Sequence, residues 1–414
     1  MPPTDSVLED LGKVAAARVA TGADAVAGVP AGWVVSLTST EEVAETVRLA
    51  VRHDLTVVAR GAGTRLGWGA PPRSADLVLD LTGVHGVVEH AAGDLVVTVR
   101  AGTPMSELQE TVAAAGQQLA LDTPLPGATV GGTLATSTSG PRRLLYGTAR
   151  DLLIGVTFVR GDGVVAKAGG KVVKNVAGYD FGKLLIGSYG TLGVITEAVF
   201  RLHPLTAARR VAQVRLPDAG AAGRVALAVL GSQLVPTALE LDQDVTGEVT
   251  VTVLVEGVAA GVTDRTATAR ELLGDGATDS DELPESFRSY PFDPDGTGLK
   301  LTSSLTGVGP VLTAAHEAAT THDVALHVRG SAAGVLYGGM PRGVEPRTVA
   351  AVVETMRRTV TAYDGSVTVL TSPPDVHEVL DVWGPVPGLH LMRRLKDELD
   401  PGHRLSPGRF VGGI

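Results

Sequence analysis

"VVARGAGTRLGWGAPP", residues 57–72, runs from a β-branched start into Gly61, Gly63 and Gly67. The opening nearly matches the glycine fingerprint of dinucleotide-binding loops, and Asp80 in "LVLDL" stands where that fingerprint wants an acid. A Rossmann loop needs a helix straight after its glycines, because the helix N-terminus supplies unpaired N–H groups and a positive dipole end to the phosphates. Gly67, Gly69, Pro71 and Pro72 oppose a helix here. The next regular stretch, "ADLVLDLTG", reads as a strand, so Asp80 is expected to end an ordinary strand. An anion can still be held without a helix, since successive N–H groups in a tight glycine turn form a concave nest. Glycine allows the close backbone approach this needs, and each hydrogen bond to a charged oxygen contributes about 1.5–3 kcal/mol. Arg60 and Arg65 flank the nest with fixed charge. Taken alone, the loop reads equally well as a glycine-rich hairpin turn.

A second small-residue stretch, "PGATVGGTLAT" (126–136), lacks the bulk of a core segment and is expected to run alongside a flat, extended ligand. Two such stretches suit a cofactor with a pyrophosphate and a ring system.

The 414 residues suffice for two or three domains. The net charge of −10 argues against broad nucleic-acid binding. Most of the acidic excess falls beyond residue 207, which leaves the N-terminal part the better host for an anionic cofactor. The chain has no cysteine, so disulfides, cysteinyl-flavin bonds and cysteine-ligated iron–sulfur clusters are excluded. No apolar run approaches the roughly 20 residues of a membrane span. The start "MPPTDSVLED" is polar and acidic, unlike a signal peptide, and a cytoplasmic location is expected.

"WVVSLT" (33–38) reads as a strand and 39–54 as a helix with Ser39 and Glu42 at capping-box spacing. In the helix starting near residue 103, Thr103 suits the N-cap, Pro104 the first turn and Gly116 the stop. Beyond a linker near Leu205–Arg210 the pattern becomes strand–helix–strand–strand–helix, and a later set repeats it with helices at 308–321 and 345–362. Residues 275–298 read as a surface loop. The expected division is 1–207, 208–387 and a C-terminal segment 388–414.

The segments "VVARGAGTRLGWG", "TPLPGATVGGTLATSTSGPRRLLYGTARDLLIGV", "GGKVVKNVAGYDFGKLLIGSYGTLGVITEAVFRLHPL" and "DPGHRLSPGRF" occur in an order that resembles the FAD-linked oxidases of the vanillyl-alcohol oxidase type. The FAD-binding E subunit of bacterial glycolate oxidase is the nearer resemblance, strong over about residues 33–207 and weaker in the C-terminal half. It implies an α+β fold: a two-lobed PCMH-type FAD-binding domain followed by a second α+β domain, ferredoxin-like with an antiparallel sheet. It implies pyrophosphate contacts at Arg60, Gly61, Ala62, Gly63 and Thr64, and it places Pro126, Gly127, Thr129, Gly131, Gly132, Ser137, Thr138 and Gly140 along the phosphates and flavin. Val194 and Ile195 fall on the adenine side. Tyr146, Gly147, Asn175 and Asp180 lie in the same motifs. Tethered relatives carry histidine or cysteine near these loops, whereas this chain has Ala62 and Thr64, so noncovalent FAD is expected.

A flavin accepts hydride from a carbon bearing hydroxyl, which leaves the protein to hold a carboxylate and take a proton. In "VALHVRG", strand alternation puts His327 and Arg329 on one face, a base and a carboxylate clamp. Tyr337 shares that neighbourhood, and Arg409 in "SPGRF" is a further candidate. Relatives usually have Asn-Pro-Gly where this chain has Ser406-Pro407-Gly408. Histidines do not cluster at metal spacing, and no metal is expected. The expected function is oxidation of a small 2-hydroxy acid as the flavin subunit of a complex whose other chains carry iron–sulfur clusters. The alternatives are a non-catalytic flavin relay or scaffold subunit and a stand-alone oxidase.

Overall fold

A computed structural model describes residues 5–170 and 179–414. The chain packs as two units. The first comprises Met1–Ser139, Thr148–Leu205 and Pro385–Ile414, and the second Gly140–Gly147 and Thr206–Gly384.

The first unit opens with α1 (Asp5–Gly12), β1 (Ala16–Val19), β2 (Ala31–Ser36), α2 (Thr40–Arg52), β3 (Val57–Arg60) and β4 (Ala75–Asp80). The strands form a sheet in the order β1-β2-β4-β3, with β2, β4 and β3 parallel. β4 is buried on both faces, which suits its near-continuous apolar run. Leu77 and Leu79 pack with Val35, Val57 and the α2 residues Val43 and Val47, while Val78 packs on the other side with Val34 and Val58. Ser39 caps α2 by accepting the Glu42 N–H at 3.1 Å. The capping box expected there closes one residue earlier, because the Glu42 carboxylate accepts from the Thr38 N–H at 2.7 Å.

The chain continues through β5 (Val87–Ala91), β6 (Val96–Arg100), α3 (Met105–Ala113), β7 (Gln117–Gln118), α4 (Val130–Ala135), α5 (Arg143–Tyr146), α6 (Ala149–Leu152), β8 (Leu153–Val159), β9 (Val165–Gly169), α7 (Phe181–Leu185), β10 (Val194–Arg201) and β11 (His203–Pro204). An antiparallel sheet of order β5-β6-β10-β8-β9 carries a core of Val97, Val99, Phe158 and Phe200 against Leu108, Val112 and Leu134. α3 starts one residue later than expected, with Pro104 at its N-cap. The Thr103 hydroxyl instead accepts the Gly86 N–H at 2.8 Å, so it is committed to the preceding loop. The stretch 126–136 is not extended throughout: Thr129 caps α4, and the small side chains let its backbone close into a helix. Asn175 lies outside the described residues. Asp180 is the cap of α7, accepting the Lys183 N–H at 3.1 Å.

The second unit contains β12 (Ala208–Leu216), α8 (Ala219–Leu230), β13 (Ala238–Gln243), β14 (Val249–Gly257), α9 (Ala259–Leu273), β15 (Thr278–Ser280), β16 (Thr297–Thr302), α10 (Val308–Thr321), β17 (His327–Ser331), β18 (Val335–Met340), α11 (Pro346–Thr361), β19 (Val367–Thr371) and α12 (Val376–Val379). Its single antiparallel sheet has the order β15-β12-β14-β13-β17-β18-β16-β19. This is two βαββαβ halves of ferredoxin-like order, joined where β13 pairs with β17. β15 falls inside the expected surface loop; its three residues pair with Val211–Gln213 of β12, a tertiary contact that overrides local polarity. Residues Gly140–Gly147, expected within the flavin domain, group with this unit. Arg142 explains it: its guanidinium makes two hydrogen bonds, at 2.7 and 3.0 Å, to the buried Glu256 carboxylate. α13 (Leu389–Leu399) and the C-terminal segment return to the first unit.

Asp24 anchors the start of the first glycine loop from behind. Its carboxylate accepts both Arg18 terminal nitrogens at 2.7 and 2.8 Å, the Thr21 N–H at 2.8 Å and the Arg60 guanidinium at 3.1 Å. The Arg18 bond, helped by Thr21 and Arg60 and opposed by desolvation, holds this carboxyl far below the usual carboxylate range. Because the folded value is depressed, the contribution is present above the unfolded carboxylate value and is lost as pH falls through the folded one. Below about pH 4, wild-type protein is therefore expected to lose stability more steeply than Asp24→Asn, as read from thermal melts across an acid series.

Candidate functional site

The first unit holds a cleft with about 750 Å³ of empty space. Its floor and one wall come from the end of β3 and the following loop, Ala59 to Leu66. The opposite wall comes from Ala101, Thr129, Gly131, Gly132, Ala135 and Thr136, and a third from Tyr189, Gly190, Gly193, Val194 and Ile195. Arg409 closes the lining.

The loop has the properties expected of a nest. No helix follows it, and β4 ends at Asp80. Among the described residues, the amides of Gly61, Ala62, Gly63 and Thr64 donate to no protein acceptor. Gly63 takes φ +78°, a conformation that favours glycine. Gly61 backs directly onto the Thr129 side chain, leaving no room for a Cβ. The Thr129 hydroxyl in turn accepts the Gly132 N–H at 3.3 Å, so the loop and α4 meet through this one side chain.

The electrostatics are one-sided, since among the described residues no carboxylate lines the cleft. Arg60 differs from expectation: its guanidinium is held at 3.1 Å by both Asp24 and Asp80, so its charge is already neutralised and its contribution to the nest is main chain. Arg65 is buried and lies over the Trp68 ring, 5.5 Å from its centroid. Arg409 is buried, and its terminal nitrogen donates to the carbonyls of Leu66 at 2.6 Å and Trp68 at 2.8 Å, while its Nε–H has no partner among the described residues. Burial pushes this guanidinium down to about 10, partly offset by Tyr189, and it stays protonated at neutral pH.

The structure thus brings together Arg60 to Arg65, Thr129, Gly131, Gly132, Val194, Ile195 and Arg409 from segments far apart in sequence. Pro126 and Gly127 are exposed and do not line the cleft. Ser137 and Thr138 do not line it either: Thr138 is buried, its hydroxyl 2.9 Å from that of Thr136. Gly140, Tyr146 and Gly147 belong to the second unit. Sequence reasoning missed Tyr189, Gly190 and Gly193, although the glycine spacing of "GSYGTLG" could have marked them.

His327, Arg329 and Tyr337 lie in the second unit. Strand register places Asp242, Arg329, Tyr337 and Lys300 in one cross-strand row, and paired residues share a face. His327 is two residues from Arg329 on the same face, and its Nε2 hydrogen-bonds the Asp242 carboxylate. The Arg143 guanidinium donates to the Tyr337 hydroxyl at 3.2 Å, and the Tyr290 ring meets Tyr337 edge-on at 4.8 Å. Burial opposes ionisation of the Tyr337 phenol, but the cations of Arg143 and Lys300 prevail and lower it. Among the described residues, no group of three or more His, Asp and Glu is placed to hold a metal ion. Nor is any described helix long and apolar enough to cross a membrane.

Residues 31–169 match the FAD-binding domain family, so the chain carries an FAD-binding domain and FAD is its cofactor. The chain is 31% identical over 212 residues to glycolate oxidase subunit GlcD of Bacillus subtilis, covering 51% of this chain and 45% of that one. It is 37% identical over 162 residues to glycolate oxidase subunit GlcE of Escherichia coli, covering 39% and 46%. With D-lactate dehydrogenase of Archaeoglobus fulgidus it shares 35% over 210 residues, covering 50% and 46%. The chain spans just under half the length of these curated relatives. Among solved structures, 4-ethylphenol oxidase from Gulosibacter chungangensis superposes with a TM-score of 0.75 over 98% of this chain and 96% of that one, at 14% identity. An alkyldihydroxyacetonephosphate synthase gives a TM-score of 0.75 over 99% and 87%, at 17% identity. The fold is the PCMH-type flavin fold of the vanillyl-alcohol-oxidase-type enzymes.

Adding a Cβ at residue 61 forces the loop off Thr129, and overpacking of this kind costs about 1–3 kcal/mol. Gly61→Ala is expected to bind FAD about tenfold more weakly, measured by fluorescence titration of the stripped protein.

Proposed function

We propose that this protein is an FAD-dependent oxidoreductase that oxidises a small 2-hydroxy acid to the 2-oxo acid, working as the flavin-binding subunit of a larger complex. The single observation that carries the reading is the cleft of the first unit: among the described residues, consecutive amides have no acceptors, a buried arginine has an unpartnered N–H, and no carboxylate is in the lining. Unpaired donors and buried positive charge without a counter-ion are costly unless an anion meets them, and a diphosphate has the matching chemistry. Among the described residues no histidine lines the cleft, and the chain has no cysteine, which supports noncovalent binding.

When bound, the flavin supplies the two-electron acceptor. The remaining tasks suit side chains already described. Arg329 offers a guanidinium for the substrate carboxylate. His327 is the group that takes the hydroxyl proton, and Asp242 fixes its ring orientation. Tyr337, with Arg143 and Lys300 beside it, adds a hydrogen-bonding phenol to the same face. Arg409 holds positive charge in the flavin cleft, where it opposes the negative charge that reduction brings. The subunit reading draws on the absence of cysteine, which leaves iron–sulfur clusters to other chains. It also draws on two relatives that are themselves named as subunits.

The test is to purify the chain, precipitate it with acid, and titrate the intact protein anaerobically with glycolate and D-lactate. Flavin in the supernatant and bleaching by one hydroxy acid are expected; a colourless protein that takes up no FAD would end the proposal. Bleaching followed by peroxide formation in air would favour a stand-alone oxidase, and failure to bleach with either acid a relay role. With a bleaching substrate in hand, Arg329→Met and His327→Asn are each expected to lower kcat/KM by about 100-fold while leaving the flavin spectrum unchanged.

A further inference from the structure

We propose that Lys396 and Asp400, which do not line the cleft, are positioning residues for it: Lys396 clamps two separate wall segments through their carbonyls, and Asp400 orients it. The inference rests on the flavin-binding reading above and adds to it an element the glycine motifs do not contain.

Both side chains are shut off from solvent, Lys396 at 1% and Asp400 at 0% exposure. The Lys396 Nζ donates to the Thr191 carbonyl at 2.7 Å, the Leu405 carbonyl at 2.9 Å and Asp400 Oδ2 at 2.6 Å. An ammonium has three donors, so this one is saturated by the protein itself and has none to offer a ligand. Asp400 Oδ2 also accepts the Leu405 N–H at 2.8 Å. Gly161 lies so close to Asp400 that a Cβ there would clash with it.

A buried ion pair is a poor way to add stability, because desolvation consumes much of the attraction and apolar replacements often do as well. What this pair does supply is geometry. Thr191 belongs to the turn carrying Tyr189, Gly190 and Gly193, all in the cleft wall. Leu405 belongs to the C-terminal arm that carries Arg409. The arm lies beside β3, with the Val57 N–H donating to Arg404 at 2.8 Å and the Ser406 N–H to Val57 at 2.7 Å. Turn and arm also touch each other, since the Tyr189 and Phe410 rings stack at 5.9 Å. Each contains a non-glycine residue at positive φ, Tyr189 at +55° and Ser406 at +44°. Conformations of this kind persist only where surrounding contacts impose them. Lys396 bonds to both segments from behind the wall and so fixes their separation.

The test compares wild type with Lys396→Met and with the double variant Lys396→Met/Asp400→Asn. The double variant removes both charges and keeps an acceptor for the Leu405 N–H. FAD affinity is read by fluorescence, the flavin environment by visible circular dichroism, and folding by thermal melts. The double variant is expected to melt near wild type yet bind FAD at least tenfold more weakly, with a changed visible dichroism band. A folded double variant with wild-type affinity and band shape overturns the proposal. Should the double variant not fold, hydrogen exchange on wild type decides: FAD is expected to slow exchange at the Asp400 and Leu405 amides, and no slowing at either overturns it. A wild type that takes up no FAD fails the flavin reading itself, a result separable from these.

Discussion

The contact between the Gly61 backbone and the Thr129 side chain is the constraint on which the flavin site depends. It joins the turn after β3 to the start of α4 with only the Thr129 side chain between them. On one side of the cleft the amides of Gly61 to Thr64 have no acceptors among the described residues, and the small residues of α4 lie on the other. A bulkier residue at either place would separate the walls. Phosphate binding without a helix dipole behind the first loop therefore becomes a matter of main-chain donors aimed by packing.

Charge is arranged around this constraint by position more than by number. Arg60 stands in the loop, yet Asp24 and Asp80 neutralise it, which makes it a tie between the loop and the sheet below. Arg409 comes from the far end of the chain, and its carbonyl partners Leu66 and Trp68 hold it without cancelling its charge. A guanidinium bonded to carbonyls has neutral partners, whereas one bonded to carboxylates has its charge compensated by them. Arg409 thus brings a cation with neutral hydrogen-bond partners into the cleft lining.

The second unit solves a different problem. Two ferredoxin-like halves merge through β13 and β17 into one antiparallel sheet. Beside that seam the register lines up Asp242, Arg329, Tyr337 and Lys300 as neighbours. The strap Gly140–Gly147 brings Arg143 to Tyr337, and the Arg142–Glu256 pair holds the strap. Side chains from five separate segments thereby converge on one polar face.

The sequence by itself determined that the glycine loop is followed by a strand, since Gly67, Gly69, Pro71 and Pro72 oppose a helix whatever packs nearby. It also determined the flavin-fold resemblance, the helices at 308–321 and 345–362 nearly residue for residue, and the shared face of His327 and Arg329. These are local properties: backbone propensity and strand or helix periodicity. Only the tertiary structure decided that Val130–Ala135 folds into a helix, that Arg60 is spent on two acids while Arg409 is not, and that residues 140–147 leave the first unit for the second. It also decided that Tyr189 and Gly190 form a wall and that Lys396 stands behind it. Each of these depends on partners from about 20 to more than 300 residues away in the chain, and neither composition nor spacing carries the distance between groups that only folding brings together.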